Sequence, residues 1–314
     1  VHIPDGFLSP GAAGAAFVLA GAGLAAALYA ERRDPVPMPA GILGSVAAFL
    51  FAAQMVNVPV AAGTSGHLVG ATLAGVLLGP WRALLAVASV LAVQALLFQD
   101  GGILAYGANL ADMGLAGCFV GTAIARLVGR AVAGPRGIAA GAVFGAFVAT
   151  VCGAIGVSCW LAVSGLYPLA GILPVMLVTH VAIGLLEAAL TGAILVSLLR
   201  WRPDLVAGAN DGSAGGRRAV LATGVLGAAL VVAACAAPFA SDFPDGVAKT
   251  AESLGFASRA RVLWPAPWPG YRLPWSRIAA IAPAAAAVLG TVAAATLAFA
   301  ISRSLATVDD DAHR

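Results

Sequence analysis

Residues 171–199 read GILPVMLVTHVAIGLLEAALTGAILVSLL, an apolar run in which His180 and Glu187 are the only ionisable side chains. About 20 apolar residues suffice for a helix to cross the ~30 Å hydrocarbon core of a bilayer, so this run is read as a membrane-spanning helix. Working outward, comparable windows precede it near 10–30, 37–56, 61–79, 82–98, 108–128 and 138–164, and two more follow near 219–238 and 279–302. The third and fourth are separated only by Gly79-Pro80-Trp81-Arg82, a stop-and-turn signal that predicts a tight hairpin. The fold expected is all-α, a polytopic membrane helix bundle of seven spans plus a C-terminal two-span unit.

The composition agrees. Of 314 residues 61% are hydrophobic and 10% charged, with a mean hydropathy of +0.96, whereas a water-soluble domain carries roughly a quarter charged residues. The 17 Lys and Arg against 14 Asp and Glu leave a net charge of +3, too small and too dispersed for a nucleic-acid partner. Cys118, Cys152, Cys159 and Cys235 lie in apolar stretches without C-x-x-C spacing and are read as packing residues. There is no G-x-x-x-x-G-K-[ST] and no soluble domain large enough to hold one, so any ATP hydrolysis would fall to other chains.

With nine spans and residue 1 outside, the outer side receives Lys249, Arg259, Arg261, Arg272 and Arg277, and the cytoplasmic side receives the remainder of the 17 basic residues. Loop bias of this kind sets orientation. The expectation is therefore a multi-pass protein of a bacterial inner (cytoplasmic) membrane with its amino end outside. The stretch PDLVAGANDGSAGG, 203–216, is small and polar in the manner of a linker. It divides a seven-span domain at 1–200, through a linker at 201–217, from a two-span auxiliary unit at 218–303. Within that unit an external segment, 241–277, carries Trp264, Trp268 and Trp275, read as interface anchors or as part of a small lobe. A polar tail, 304–314, holds His313 and is expected to be solvated and disordered.

The opening Val1-His2-Ile3-Pro4-Asp5-Gly6 has no Lys or Arg and so lacks the charged start of a secretory signal. Residue 1 is expected to stay in the mature chain, as Val or as Met from a non-ATG start. A free amine, the amide nitrogen of His2 and its imidazole could close two fused chelate rings on one ion, and one further imidazole would complete four nitrogens. That set suits Ni(II), Cu(II) and Co(II) better than Zn(II) or Mg(II). The plain alternative is a surface histidine near a terminus. His67, in GTSGHLVG at 63–70, is placed by spacing inside the third span, where a lone imidazole facing lipid is costly; it reads as a ligand or as a core histidine bonded to a backbone carbonyl.

Two further polar sets lie in apolar windows. His180 and Glu187 are seven residues apart, on one face of the seventh span, and read either as a structural polar pair or as a coupling or ion-release element. Asn109 and Asp112 open the fifth span, as a cap suited to a helix N-terminus or as partners that orient a metal-ligating imidazole.

Taken together, VHIPDG at 1–6, GTSGHL at 63–68, Gly107-Ala108-Asn109 with Met113, and HVAIGLLE at 180–187 resemble the CbiM/NikM family, the substrate-binding membrane component of energy-coupling-factor cobalt and nickel transporters. The resemblance runs from residue 1 to near residue 200. It implies Val1, His2 and His67 as metal ligands and Co(II) or Ni(II) as transported substrate, cobalt slightly favoured, with no catalytic cofactor. It also implies a transmembrane coupling subunit and two cytoplasmic ATPase subunits as partners within and beneath the lipid bilayer. The family usually begins with Met; Val1 leaves the amine in place. The segment Pro244-Asp245-Gly246-Val247-Ala248-Lys249 is similar to the external P-D-G-L-E stretch of the CbiN/NikN two-span partner, with Val247-Ala248 where Leu-Glu is usual. This second likeness implies a role in metal loading. From other classes, a non-transporting membrane metal sensor and an intramembrane metalloenzyme built on His2, His67 and Asp112 stand as alternatives; the absence of H-E-x-x-H and a filled four-nitrogen shell weigh against the enzyme.

Overall fold

The computed structural model describes residues 2–34, 39–61, 63–132, 134–202, 206, 215–273 and 281–312. Helix α1 (Pro10–Arg32) opens on Ser9, whose hydroxyl accepts the Ala12 N–H, with Pro10 in the first turn where its missing N–H costs no helical bond. After α2 (Ala40–Gln54) come two short antiparallel strands, β1 (Val58–Pro59) and β2 (Ser65–Gly66), and then α3 (Ala71–Leu78). Gly79, at φ +86°, makes the expected sharp reversal into α4 (Pro80–Val93), which ends in a π-helical turn at Gln94–Phe98. Helix α5 (Tyr106–Asn109) runs through a π-helical stretch, Leu110–Gly121, into α6 (Thr122–Ala131). The remaining helices are α7 (Pro135–Val163), α8 (Leu169–Trp201), α9 (Gly215–Ala236), α10 (Gly246–Ser253) and α11 (Ile281–Ala312).

Among the described residues seven helical stretches are long and apolar enough to cross a bilayer: Pro10–Arg32, Pro80–Phe98, Tyr106–Ala131, Pro135–Val163, Leu169–Trp201, Ala222–Phe239 and Ile281–Leu305. The protein is a polytopic helical membrane protein. The second and third windows are shorter than the sequence suggests. Helix α2 has 15 residues, and α3 only 8, which at 1.5 Å per residue reaches about 12 Å. The third window is helical only in its second half because its first half satisfies its backbone in other ways. Val60 donates to Thr64 O, the strands pair at Val58 with Gly66, and the N–H groups of Val69 and Gly70 go to the Glu187 carboxylate.

Helix α7 packs along α8 and α6, while α2 lies between α9 and α11. The last contact depends on small residues: a Cβ on Gly290 would fall 2.0 Å from Phe51, and one on Gly44 would fall 2.8 Å from the Ala295 carbonyl. At the opposite end from the strands, buried Arg82 is paired with Glu31 at 2.6 Å and Asp34 at 2.9 Å.

The segment between α9 and α11 folds onto the rest of the chain. Ser241 donates its N–H to Asn57 O, Ser65 donates to the Pro244 and Phe243 carbonyls, and the Trp264 indole donates to Leu96 O at 2.9 Å. Trp268 donates its N–H to Leu97 O and packs on Phe98. Trp264 and Trp268 thus fasten the segment to the end of α4; Trp275 lies outside the described residues. So do Val1, most of the 201–217 linker, and His313. Helix α11 continues through residue 312, where a disordered tail was expected. The cysteines divide: Cys118 is buried, but Cys159 and Cys235 lie on the outer surface of the bundle and are not packing residues.

Candidate metal-capture site

The amino-terminal segment is pinned by its backbone. Ile3, fully buried, donates its N–H to Asn109 Oδ1 at 2.7 Å, and its carbonyl accepts from Asn109 Nδ2 at 3.1 Å and from the Gly102 N–H at 2.9 Å. Asp5 accepts the N–H groups of Ile103 and Leu104 at 3.0 and 2.8 Å. Gly102 is required by this approach, since a Cβ there would sit 2.3 Å from Asp5 Oδ1. These bonds fix the register of the segment and so the position of His2.

His2 Nδ1 lies 3.2 Å from Asp100 Oδ1, and Nε2 lies 3.2 Å from Gln94 Oε1. Gln94, in the π-helical turn, passes its own N–H to Gln54 Oε1 at 2.8 Å, and Gln54 donates to Val69 O at 3.0 Å. The Tyr271 hydroxyl donates to Asp100 Oδ2 at 2.5 Å. A relay of amides therefore ties His2 to the segment that carries His67.

His67 is not inside a helix: it sits in the irregular stretch between β2 and α3. Its ring stacks on that of His2, centroids 5.7 Å apart and planes at 29°. Buried His67 Nδ1 has no hydrogen-bond partner among the described residues. Burial is the main influence on both imidazoles: it draws His67 down to about 3 and lowers His2 from its ordinary range. Neutral imidazole is the form that binds a metal, and burial favours that form at both residues. The chain after His67 is held by Glu187, whose two oxygens accept the N–H groups of Val69 and Gly70 at 2.6 and 2.9 Å.

The other residues singled out from the sequence are placed as follows. Asn109 braces Ile3, next to His2, and touches the backbone rather than an imidazole. Asp112 lies against α7, where a Cβ on Gly156 would meet its Oδ1 at 2.2 Å. His180 Nδ1 lies 2.8 Å from Met176 O and 3.0 Å from Thr179 Oγ1, directly under Gly246. His180 and Glu187 share a helix but serve different neighbours. Asp245 Oδ2 accepts the backbone N–H of His2 at 3.2 Å, and its Oδ1 accepts the Ala248 N–H at 2.7 Å as the cap of α10. Sequence reading passed over Gln54, Gln94, Asp100 and Asp245 as contributors; the isolated amides in apolar windows were the available signal.

No group of three His, Cys, Asp or Glu side chains forms a ready-made cage among the described residues. A site here would draw on backbone nitrogen. Coordination through the His2 amide nitrogen and Nδ1 would close a six-membered ring, with Nδ1 exchanging its contact with Asp100 for the ion and Gln94 Oε1 accepting the Nε2–H, as partners of ligating imidazoles do.

Comparison with known proteins places the chain in a family. Residues 2–205 match the CbiM family model, described as "Cobalt uptake substrate-specific transmembrane region". The fused nickel transport protein NikMN of Rhodobacter capsulatus is 31% identical over 312 residues, covering 86% of this chain and 88% of that protein. The cobalt transport protein CbiM of Sorangium cellulosum is 33% identical over 216 residues, covering 66% of this chain and 94% of that one. A crystal structure of a transition metal transporter superposes with a TM-score of 0.55 at 32% identity, over 64% of this chain and 93% of the other. The chain belongs to the CbiM family of cobalt-uptake, substrate-specific transmembrane proteins.

Proposed function

We propose that the protein is the substrate-capturing membrane component of a primary active importer for Co(II) or Ni(II), cobalt slightly favoured. The metal is held by the amine of Val1, the amide nitrogen and imidazole of His2, and the imidazole of His67. The observation that carries this reading is the stacking of two imidazoles 5.7 Å apart, each side chain largely shielded from solvent, from segments distant in sequence. The amino end faces outward across the inner membrane. A coupling subunit and two ATPase subunits supply the energy, and residues 218–303 form an auxiliary unit, with its 241–277 segment assisting loading. The fused NikMN relative, matched along most of its length, supports this arrangement.

The test is cobalt and nickel titration of the purified protein alongside two variants: one with an extra residue before Val1, and His67→Ala. Both changes are expected to abolish tight binding, and the wild-type affinities to rank the two metals. Tight binding by the extended protein would show that the terminal amine is not a ligand.

A further inference from the structure

A second polar feature lies deeper in the bundle. A cavity of about 20 Å³, room for one water-sized species, is lined by Val69, Thr72, Asp112, Met113, Thr150 and Glu187. Asp112 is only 8% exposed, and its Oδ2 has no hydrogen-bond partner among the described residues, although the Trp160 indole neighbours the carboxyl. Such a group within membrane-spanning helices is expensive unless it meets a cation or a proton, and it marks a functional site by default. Glycines at 153 and 156 keep α7 out of its way: a Cβ at Gly156 would strike Asp112 Oδ1. The cavity also adjoins the capture site, because its wall residue Val69 lies two positions after His67 and is gripped by Glu187, another wall residue.

We propose that this cavity is a second, weaker site for the transported divalent cation, with Asp112 as its charged ligand, occupied after the ion leaves His2 and His67. The inference rests on the capture reading above. The residues around the cavity offer a carboxylate, the hydroxyl oxygens of Thr72 and Thr150, whose protons go to the Gly117 and Ala146 carbonyls and leave lone pairs free, and the buried thioether of Met113. That mixed set binds Co(II) or Ni(II) less tightly than four nitrogens do. A site of passage needs this order, favourable enough to receive the ion and weak enough to release it.

The test uses the full chain in detergent, titrated with cobalt chloride, and proteoliposomes containing it with its coupling and ATPase subunits. The wild type is expected to show one tight and one weak binding event. Asp112→Asn is expected to lose only the weak event and to cut ATP-driven cobalt uptake at least tenfold. Ala149→Val narrows the cavity while leaving every carboxylate in place, is expected to act in the same direction, and decides the matter if Asp112→Asn does not fold. His67→Ala is expected to lose only the tight event; should it keep that event, the capture reading fails and not this one. A single binding event in the wild type, or weak binding and uptake unchanged in these cavity variants, overturns the second site.

Discussion

Asp245 reaches across the whole chain to His2: one carboxylate oxygen accepts the backbone N–H of His2 at 3.2 Å, while the other caps α10 through the Ala248 N–H at 2.7 Å. The amide nitrogen so contacted is the one that would bind the metal on the reading proposed above, and on that reading the external segment borders the capture site. Burial opposes ionisation of Asp245, but N–H donation from Ala248 and His2 and nearby positive charge outweigh it and hold the carboxyl below its ordinary range.

The two duties of Asp245 can be separated. Asn retains the capping oxygen, so Asp245→Asn is expected to melt within a degree or two of wild type, whereas Ala loses the cap, worth about 1 kcal/mol. Both remove the negative charge that Asp245 places beside the proposed cation site, and through that loss both are expected to weaken cobalt binding by roughly tenfold or more. Calorimetric titration and thermal melts on the two variants check this; unchanged affinity in both would make the contact incidental to capture.

Gly246 sits where no side chain fits. A Cβ there would lie 2.5 Å from His180 Cε1, so Gly246→Ala is expected to lift α10 from α8 and cost about 1–3 kcal/mol, as overpacking does. The double variant Gly246→Ala/His180→Ala makes room for the added methyl and is expected to recover most of the loss. Limited proteolysis between residues 240 and 273 reads the lifting directly. Equal protease sensitivity in the single and double variants would show that His180 is not what the methyl strikes.

Glu187 is predicted to matter for His67 without touching it. Its two oxygens hold the Val69 and Gly70 N–H groups, and Gln offers only one acceptor oxygen, turning an N–H donor toward the other amide. Glu187→Gln is expected to raise hydrogen exchange at residues 67–70 and to weaken cobalt binding about tenfold, about 1.4 kcal/mol. Protection unchanged at 67–70 would remove the link between the two.

How far these relationships were legible in the sequence follows from their range. Long apolar runs report burial in lipid through composition alone, so the helices of 80–98, 135–163 and 169–201 could be read directly. The 61–79 window could not, because its glycines and the distant Glu187 carboxylate, not its hydropathy, decide that the chain from Gly63 to Gly70 is not helical. His2 and His67 were identifiable as candidates through chelate chemistry and motif resemblance. Asp100, Gln94 and Asp245 were not, since their role exists only once α4, the amino-terminal segment and α10 meet. Asn109 reads from the sequence as a helix cap or as a partner for an imidazole, whereas in the fold its side chain holds the backbone of Ile3.

That difference gives a sharper expectation for Asn109. Its side chain forms two bonds with one residue, accepting the Ile3 N–H at 2.7 Å and donating to the Ile3 carbonyl at 3.1 Å. In Asn109→Leu the carbonyl keeps its bond from the Gly102 N–H, so one buried group, the Ile3 N–H, is orphaned. Such a group costs about 1–3 kcal/mol, and the strain falls one residue from His2. Cobalt affinity is therefore expected to drop roughly tenfold to a hundredfold, while His67, whose following residues Val69 and Gly70 are bound by Glu187, stays in place. If Asn109 instead served an imidazole, the variant would alter the absorption spectrum of bound cobalt at saturation. If it serves only the backbone, the saturated spectrum is unchanged and only the concentration needed to reach it rises, and it is this second pattern that the geometry predicts.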